Sequence, residues 1–344
     1  MSTPVLWVMG AGSVGVYLGG KLSATGVQVH AIGRERLARD IRLHGLRLSD
    51  LEGVDQKVTP PRWHLLPDDP ALPPPGLVLL TVKSGATAQA ARQLSTVLAP
   101  GTPVLSFQNG VENLAAARQA APQLHWLAGM VPFNIVELAP GHWHRASSGR
   151  LVAERDVRMQ AWLAHFEAAG LPLWLQDDMA AVQWAKLLLN LNNPVNALSG
   201  LTLRDELLQR DWRRLLAALM EEALALLHAA RQPVARLSPL PPHWVPAVLR
   251  LPTPLFRLVA ARMLRIDPKA RSSMADDLAL GRPLEMDALC GAVVRLAGRL
   301  ETDAPRNAAM LSLLQHLPAT QDTAAWQALR RKALGLGRPS RRDQ

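Results

Sequence analysis

The stretch PVLWVMGAGSVGVYLGGKLSATG, residues 4–26, decides how the first half of the chain folds. Residues 4–10 form a short apolar run that predicts a β-strand, and residues 13–26 have a helical pattern that ends at a glycine. The run VQVHAIG (27–33) predicts a second strand. A helix between two such strands is the βαβ unit of a parallel sheet with right-handed crossovers.

The turn between the first strand and the helix has the glycine pattern GxGxxG. In this position the first glycine permits a tight turn, the second lets a pyrophosphate approach the backbone, and the third permits close helix–strand packing. The start of the helix attracts the negative phosphates. The alternative is a glycine-rich turn that binds nothing. We predict a dinucleotide site made by Gly10, Ala11, Gly12, Ser13, Val14 and Gly15.

The end of the second strand indicates which dinucleotide binds. Enzymes that use NAD usually place Asp or Glu about 20 residues after the loop, where the carboxylate binds the ribose 2′-hydroxyl. This chain has Arg34 there, with Arg36 close by, and we expect Glu35 between them to point elsewhere. A guanidinium pairs with a 2′-phosphate that a carboxylate would repel. We therefore predict NADP(H) as the cofactor.

Two further loops follow predicted strands. The apolar runs 76–83 and 103–110 have strand length, and the helical pattern 85–100 between them ends at a proline. Lys83 and Asn109 therefore lie at the carboxyl ends of strands, where open α/β sheets bind ligands. We predict that both residues belong to the cofactor site. The alternatives are a solvated lysine and an ordinary Asn–Gly turn.

The second half of the chain consists mainly of Leu- and Ala-rich segments with a helical period. These segments are 178–198, 205–230, 275–301 and 305–317. A Pro-rich stretch at 231–256 also contains Trp, Leu and Val, which predicts an ordered excursion with short helices. The predicted fold class is an α/β N-terminal Rossmann-type dinucleotide-binding domain followed by an all-α C-terminal domain. We expect an NADP-binding domain over 1–176, a helical substrate domain over 177–329, and a basic, disordered tail over 330–344.

The helix that opens the second domain contains the sequence WAKLLLNLNNPVNA (184–197). Lys186, Asn190 and Asn193 are spaced i, i+4, i+7 and are predicted to share one face of it. The alternative is a solvent-facing stripe, although such stripes are usually richer in Glu, Lys and Arg. A desolvated lysine has a lowered pKa, which suits the acid that protonates the oxygen of a reduced carbonyl. Pro194 is expected to break or kink the helix.

A second polar stretch, ARSSMADDLALGRPLEMDALCG, covers residues 270–291. Ser273 and Asp276 match a capping box, which is one interpretation of that serine. Glu285 lies at a predicted helix start, where a carboxylate is favoured by the helix dipole. The other interpretation is that both residues face a ligand.

Composition excludes several classes of protein. A length of 344 residues favours two domains, and the single cysteine, Cys290, excludes an intramolecular disulfide and a Cys-rich zinc site. We expect Cys290 to be a buried, inert thiol. The N-terminus has no signal-peptide pattern, and no window of about 20 residues lacks charged or amide groups. We therefore expect a cytoplasmic protein without a membrane span.

The formal net charge of +10 is concentrated in two places. Residues 231–271 hold eight basic residues and one acidic residue, and residues 330–344 hold six and one. No recognition helix, RNP pattern or zinc finger accompanies them, so we predict no specific nucleic-acid partner. His142 and His144 form only an H-x-H pair, which we interpret as structural or surface residues, and no metal site is predicted.

Five motifs that occur in order between residues 10 and 291 resemble the ketopantoate reductase (2-dehydropantoate 2-reductase) family. They are GAGSVG, TVK, QNGVEN, WAKLLLN with NP after it, and SSMADDLALGRPLEMDALCG. The resemblance implies a Rossmann domain and a helical domain with the active site in the cleft between them. It also implies NADPH-dependent reduction of 2-dehydropantoate to (R)-pantoate, a step toward pantothenate and coenzyme A. The expected partner is a small-molecule 2-oxo acid, and the protein is expected to be a monomer or a homodimer.

The resemblance also implies roles for single residues. Lys186 falls on the family's catalytic lysine, the general acid, and Glu285 on the acid that contacts the bound cofactor and substrate. Asn109 falls on the asparagine that touches both nicotinamide and substrate, and Asn190 and Ser273 fall on substrate-binding positions.

The remaining correspondences concern the cofactor and the departures from the family pattern. Lys83 falls on the phosphate-side lysine and Arg34 on the arginine of the 2′-phosphate, whereas Asn193 matches a substrate asparagine only with a gap. A further substrate asparagine of the family meets Leu203 here, and Cys290 stands where asparagine is common. Two alternatives therefore stay open: a related NADPH-dependent reductase of another branched 2-oxo acid, and a non-catalytic NADP-binding protein of the same fold.

Overall fold

The computed structural model describes residues 3–318, apart from positions 262, 263, 265, 266, 268 and 269, and residues 322–338. Contacts divide the chain into two compact units, of which the first ends at Met179 and the second begins at Ala180. The first unit combines strands and helices, and the second is helical. This arrangement confirms the predicted fold class.

Two sheets account for the strands of the first unit. The strands are β1 (Val5–Met9), β2 (Gln28–Ile32), β3 (Leu46–Asp50), β4 (Asp55–Val58), β5 (Arg62–His64), β6 (Leu77–Leu80), β7 (Pro103–Ser106), β8 (His125–Met130), β9 (Ile135–Ala139), β10 (His142–Arg145), β11 (Leu151–Glu154) and β12 (Leu173–Gln176).

The larger sheet has the strand order β12-β11-β8-β7-β6-β1-β2-β5. All neighbours from β5 to β8 are parallel, whereas β8 and β11 are antiparallel. The six parallel strands, taken in chain order, give the arrangement 3-2-1-4-5-6 of dinucleotide-binding folds. The direction of chain progression reverses between β1 and β6, so the loops after these two strands lie at the ligand-binding edge.

Helices cover both faces of this sheet. They are α1 (Ser13–Ser23), α2 (Glu35–His44), α3 (Thr87–Val97), α4 (Asn113–Ala120) and α5 (Val157–Ala168). Successive side chains of a strand point to opposite faces. In β1, Leu6 and Val8 accordingly join the apolar cluster that contains residues of α1 and α5, and Trp7 and Met9 join the one that contains residues of α3 and α4. Burial on both faces explains why the sequence of these strands is continuously apolar.

A second, four-stranded sheet has the order β4-β3-β10-β9 and was not expected from the sequence. Its strands carry many polar residues, so no apolar run marks them. The Ser49 hydroxyl lies 2.8 Å from Nε2 of His142 and 2.8 Å from Nδ1 of His144. The H-x-H pair is therefore structural, as predicted. Within the described residues, no group of three or more His, Cys, Asp or Glu side chains could hold a metal ion.

The second unit is built from short and medium helices. They are α6 (Met179–Asn190), α7 (Asn192–Ser199), α8 (Leu203–Leu208), α9 (Arg210–Ala229), α10 (Val245–Arg250), α11 (Thr253–Val259), α12 (Ser273–Ala279), α13 (Ala292–Arg299), α14 (Pro305–Gln315) and α15 (Thr323–Leu336). The Pro-rich stretch forms α10 and α11, which confirms the expected short helices. None of the described helices combines the length and the apolar character needed to cross a bilayer.

Three predicted helices are interrupted. The segment 178–198 breaks at Leu191, because Pro194 has no N–H to donate to the carbonyl of Asn190. The segment 205–230 breaks at Gln209, whose backbone is extended (φ −95°, ψ 116°). The segment 275–301 is interrupted after α12, where Gly281 has a φ of +62°. It resumes in a π-helical turn at Asp287–Gly291.

The prediction of a disordered tail over 330–344 is wrong for its first residues. Helix α15 continues to Leu336, and Ala333 in it is fully buried. Arg330 Nε donates to the carbonyl of Leu198 at 2.9 Å. The buried Ala333 and the hydrogen bond of Arg330 attach the helix to the rest of the helical unit, although the charge pattern of this segment alone indicates a solvated one. Residues 339–344 of the predicted tail lie outside the described residues.

Candidate dinucleotide and substrate sites

The glycine loop after β1 is shaped by close backbone contacts at its two ends. Gly10 has a φ of +95°, and a Cβ on it would lie 2.5 Å from the backbone nitrogen of Val82. A Cβ on Gly15 would lie 2.6 Å from Thr81 Oγ1 and 2.9 Å from the carbonyl oxygen of Gly10. No side chain fits at either position, so both glycines are needed for the fold of the loop itself.

The middle of the loop is open. The nearest atom to a Cβ built on Gly12 is the carbonyl oxygen of Gly10, 4.0 Å away. Gly12 precedes α1, and no side chain caps the first turn of this helix. The N–H groups of Ser13, Val14 and Gly15 therefore need a partner from outside the helix. An open backbone beside an uncapped helix start fits the phosphates of a dinucleotide.

The residues after β2 arrange their charges as the sequence predicts. Arg34 directly precedes α2, is exposed, and makes no ion pair within the described part of the chain. Glu35 pairs with Arg42, and Arg36 pairs with Asp40 at 2.9 Å. The acidic residue is thus turned away along the helix, which leaves the Arg34 guanidinium available to an anion.

Lys83 and Asn109 lie on neighbouring loops after β6 and β7. Lys83 directly precedes a 3₁₀ turn at Ser84–Ala86. Ser84 Oγ donates to the carbonyl of Asn109 at 3.1 Å, and the side-chain amide of Asn113 donates to the same carbonyl. The structure therefore brings the two loops together, as their positions at the ends of adjacent strands predict.

A buried hydrogen-bond network beneath these loops was missed by the sequence reasoning. Gln108 Nε2 donates to the carbonyl of Val82 at 3.0 Å and to Thr87 Oγ1 at 2.7 Å, and Gln108 Oε1 accepts from Ser106 Oγ at 2.9 Å. The network fixes the backbone around Lys83 and Asn109 relative to each other. Gln108 stands beside Asn109 in the motif FQNGVEN, and a polar residue at the end of an apolar strand was the available signal.

In the helical unit, Lys186 lies on α6 among buried residues. Ala185, Leu187 and Leu188 beside it are at most 4% exposed. Burial lowers the pKa of Lys186 from 10.5 to about 8. A proton with this pKa is bound at neutral pH and is readily given up, which is the property of a general acid.

The asparagines near Lys186 do not form one helical stripe. Asn190 is the last residue of α6 and is buried. Asn193 lies on α7, beyond the break at Leu191, so the predicted i, i+4, i+7 face is shared only by Lys186 and Asn190. The carbonyl oxygen of Asn193 accepts from Ser272 Oγ at 3.3 Å.

Ser273 does not cap its helix, which corrects the capping-box interpretation. The cap of α12 is Ser272, whose Oγ accepts from the N–H of Ala275 at 3.2 Å. Ser273 is the first helical residue and is exposed. Because the neighbouring serine does the capping, the hydroxyl of Ser273 is available to a ligand.

Glu285 is half-buried on the segment between α12 and the π-helical turn. It precedes that turn by two residues, in keeping with its predicted position near a helix start. Cys290, within the turn, is fully buried, and burial raises the pKa of its thiol to about 12. The thiol is therefore inert at physiological pH, as expected.

Asn196 and Glu206 are buried polar residues that received no role from the sequence. Asn196 is 0% exposed and Glu206 is 1% exposed. Asn196 Nδ2 donates to Glu206 Oε2 at 2.6 Å, and Asn196 Oδ1 accepts from the N–H of Ser272 at 2.9 Å. The asparagine thus joins α7 to α8 and to the start of α12. A third asparagine on α7, after Asn192 and Asn193, was a visible signal, but its partners could not be read from spacing.

Comparisons with known proteins agree on one family. A family model described as Ketopantoate reductase PanE/ApbA matches residues 6–155, and its C-terminal counterpart matches residues 178–318. A 2-dehydropantoate 2-reductase of Mesorhizobium japonicum is 27% identical over 339 aligned residues, covering 90% of this chain and 96% of that protein.

Solved structures show the same architecture. A PanE/ApbA family ketopantoate reductase of Ralstonia eutropha has a TM-score of 0.75 and 29% identity, covering 96% of this chain and 99% of that one. A D-mandelate dehydrogenase in ternary complex with NADH and anilino(oxo)acetate has a TM-score of 0.74 at 18% identity, covering 94% and 99%, a likeness that shows the fold alone. Because the two family models together match most of the chain, the protein belongs to the ketopantoate reductase family of oxidoreductases, which act on CH–OH groups.

Proposed function

We propose that this protein reduces 2-dehydropantoate to (R)-pantoate with NADPH, a step toward pantothenate and coenzyme A. The observation that carries the proposal is Lys186, whose burial on α6 lowers its pKa to about 8. Reduction of a 2-oxo acid adds a proton to the carbonyl oxygen as the carbon is reduced. A lysine that holds its proton loosely near neutral pH supplies that proton.

Lys186 and Glu285 form the catalytic pair of the proposal. The nicotinamide, when bound, supplies the hydride. Lys186 donates the proton to the carbonyl oxygen of the substrate. Glu285 would hold the cofactor and the substrate in place. Asn109, on the loop after β7, would contact both the nicotinamide and the substrate.

Asn190, Asn193 and Ser273 bind the substrate in this proposal. Two features of the structure support it: Asn190 follows Lys186 by one helical turn, and the hydroxyl of Ser273 is exposed and is not the helix cap. A serine hydroxyl donates a hydrogen bond to a carboxylate, and the amides accept or donate to the polar groups of a 2-oxo acid.

In this proposal Arg34 causes the preference for NADPH. Lys83 and the glycine loop bind the phosphates of the dinucleotide. Arg34 is exposed while Glu35 beside it pairs with Arg42. A cation without an adjacent free carboxylate favours a 2′-phosphate over a 2′-hydroxyl. We further propose that the cofactor domain spans 1–176 and the substrate domain 177–329.

The test is NADPH oxidation by the purified protein with a panel of 2-oxo acids. The panel holds 2-dehydropantoate, smaller branched 2-oxo acids and an aryl 2-oxo acid. We expect the highest kcat/KM with 2-dehydropantoate and with NADPH rather than NADH. Binding of NADPH without turnover of any 2-oxo acid would instead identify a non-catalytic NADP-binding protein.

A second candidate function is reduction of another branched 2-oxo acid. Leu203 begins α8, and its N–H donates to the carbonyl of Ala270 at 2.9 Å, three residues before Ser273. This half-buried leucine stands where the family has an asparagine, which favours a more apolar substrate chain. A higher kcat/KM with a bulky apolar 2-oxo acid than with 2-dehydropantoate would favour this second function. Leu203→Asn should then shift the preference back toward 2-dehydropantoate.

A further inference from the structure

Glu206 is a buried acid that the proposed reaction does not use. It lies on α8 with only 1% of its surface exposed. Its Oε2 accepts a hydrogen bond of 2.6 Å from Asn196 Nδ2, and the amide of Asn192 is a second hydrogen-bond partner of the carboxyl group. An ionised carboxylate in such a place would need donors at both oxygens or a cation beside it.

The other carboxyl oxygen has no such donor. Glu206 Oε1 is buried without a hydrogen-bond partner, and so is Oδ1 of Asn192. If the carboxyl group is ionised, both oxygen atoms can only accept hydrogen bonds, so neither can donate one to the other. One proton on Glu206 turns one of these acceptors into a donor, and Asn192 Oδ1 is an acceptor that needs one.

Asn196 connects Glu206 to the start of α12 through hydrogen bonds. Both hydrogens of its side-chain amide are used, since Nδ2 donates to Glu206 Oε2 and to the carbonyl of Leu201 at 3.1 Å. Its Oδ1 must therefore face the other way, where it accepts from the N–H of Ser272 at 2.9 Å. Ser272 caps α12 and is the residue before Ser273.

We propose that Glu206 is a positioning residue that works as a neutral carboxylic acid: it holds the amides of Asn192 and Asn196, and through Asn196 it sets the backbone that presents Ser273. The part of this proposal that concerns substrate rests on the proposed function, in which Ser273 binds the 2-oxo acid. The protonation state and the positioning of α12 do not depend on it.

The electrostatics of the site agree with a neutral acid. Burial raises the pKa of Glu206 from 4.5 to about 8, and the two amides oppose this shift only in part. Charged groups that bond to the network or lie next to its residues are Arg204, Asp205, Arg213, Arg271, Asp276 and Arg330. Among the described residues, none of these charged groups shifts the pKa of Glu206.

The sign of the pH dependence follows from the direction of the shift. Between pH 4.5 and about 8 the folded protein holds a proton that the unfolded chain has lost. The stability associated with the neutral acid is therefore complete below pH 4.5 and is lost as the pH rises through about 8. Above that pH the buried carboxylate is ionised, and the network around it has to rearrange.

Glu206→Gln separates protonation from simple packing. The glutamine amide has the shape of the acid, accepts from Asn196 and donates to Asn192 at every pH. Glu206→Leu keeps the volume and removes both functions. Asp205→Asn is the matched control, because it removes an exposed carboxylate from the adjacent position of the same helix.

The first readout is the KM for the 2-oxo acid between pH 7 and pH 9. We expect Glu206→Gln to keep the wild-type KM within twofold at pH 7, and Glu206→Leu to raise it roughly tenfold while the KM for NADPH stays constant. The wild-type KM should rise above pH 8 more steeply than that of Glu206→Gln. Titration of Lys186 is common to both proteins and cancels in this comparison. A tenfold higher KM for Glu206→Gln at pH 7 would overturn the proposal.

Two further readouts need no substrate. Infrared spectra of protein labelled with ¹³C-glutamate should show, at pH 6.5, a carboxylic-acid band that is absent from Glu206→Gln and titrates away near pH 8. Hydrogen exchange at the amides of Ser272 and Ala275 should accelerate in Glu206→Leu and stay unchanged in Glu206→Gln and Asp205→Asn. An absent band, or equal exchange in all variants, would overturn the proposal. If these two results hold while no 2-oxo acid is reduced, the proposed function fails and the neutral Glu206 stands.

Discussion

The glycine loop at Gly10–Gly15 and the polar cluster around Glu206 are held in place by different forces. The loop is fixed by repulsion: a Cβ at Gly10 or Gly15 would come within 2.6 Å of other atoms. The cluster is fixed by attraction, through hydrogen bonds between side chains on α7 and α8 and the backbone of Ser272. The loop requires glycine at these two positions. The cluster requires each of its hydrogen-bond partners and, in our proposal, a proton on Glu206.

This difference matters because the two regions tolerate change differently. Steric exclusion is local and independent of pH, so the loop keeps its shape under most conditions. A buried polar network loses stability as soon as one member is unpaired or changes its charge. We therefore expect kcat and the KM for the 2-oxo acid to depend on pH. The affinity for the cofactor phosphates should depend on pH much less.

Lys186→Ala is expected to have the largest effect on catalysis. Removing a general acid typically lowers kcat by about 10²–10⁴. The affinity for NADPH should stay unchanged, because the variant leaves the glycine loop intact. Stopped-flow or steady-state NADPH oxidation measures kcat, and fluorescence titration measures cofactor binding. Lys57→Ala, an exposed lysine on β4, is the control and should behave as the wild type.

The pH profile of the same variants sharpens this prediction. Lys186 must be protonated to act, so wild-type kcat should fall as the pH rises above about 8. Its pKa is depressed below the unfolded value of 10.5, so its contribution to stability increases with pH between about 8 and 10.5. That direction is opposite to the one for Glu206. A profile that keeps its alkaline decline in Lys186→Ala would assign that decline to another group.

Two glycine variants test whether the loop is held by sterics alone. Gly15→Ala should destabilise the cofactor-free protein by about 1–3 kcal/mol, because its Cβ meets Thr81 Oγ1 and the backbone of Gly10. Gly12→Ala should leave the melting temperature nearly unchanged, since the nearest atom to the added Cβ, the carbonyl oxygen of Gly10, is 4.0 Å away. It should weaken NADPH roughly tenfold, because the methyl group occupies the approach of the phosphates. Equal melting temperatures of the two variants would refute the distinction.

The sequence could predict features that depend on local sterics, but not contacts between residues far apart in the chain. The loop and Arg34 were identifiable because glycine sterics and the turn after a strand are local properties. The contact between Asn196 and Ser272 joins residues 76 positions apart, and no periodicity indicates it. The break at Leu191 separates Asn193 from the face of Lys186, and spacing on an assumed continuous helix could not show this. The polar strands β3, β4 and β10 lack the apolar runs that mark β1 and β6.

Arg34→Ala is expected to change the binding of only one of the two cofactors and tests the cofactor assignment. The side chain is exposed, so its ion pair with a 2′-phosphate is screened by water and salt. We expect NADPH binding to weaken about tenfold, or about 1.4 kcal/mol, with NADH binding unchanged. Arg39→Ala, which removes an exposed arginine of α2, is the matched control and should affect neither cofactor. The loss for NADPH should shrink at high salt, since the contact is electrostatic. An equal loss for both cofactors would mean that Arg34 contacts a part of the dinucleotide that they share, and the preference for NADPH would then have to come from another residue.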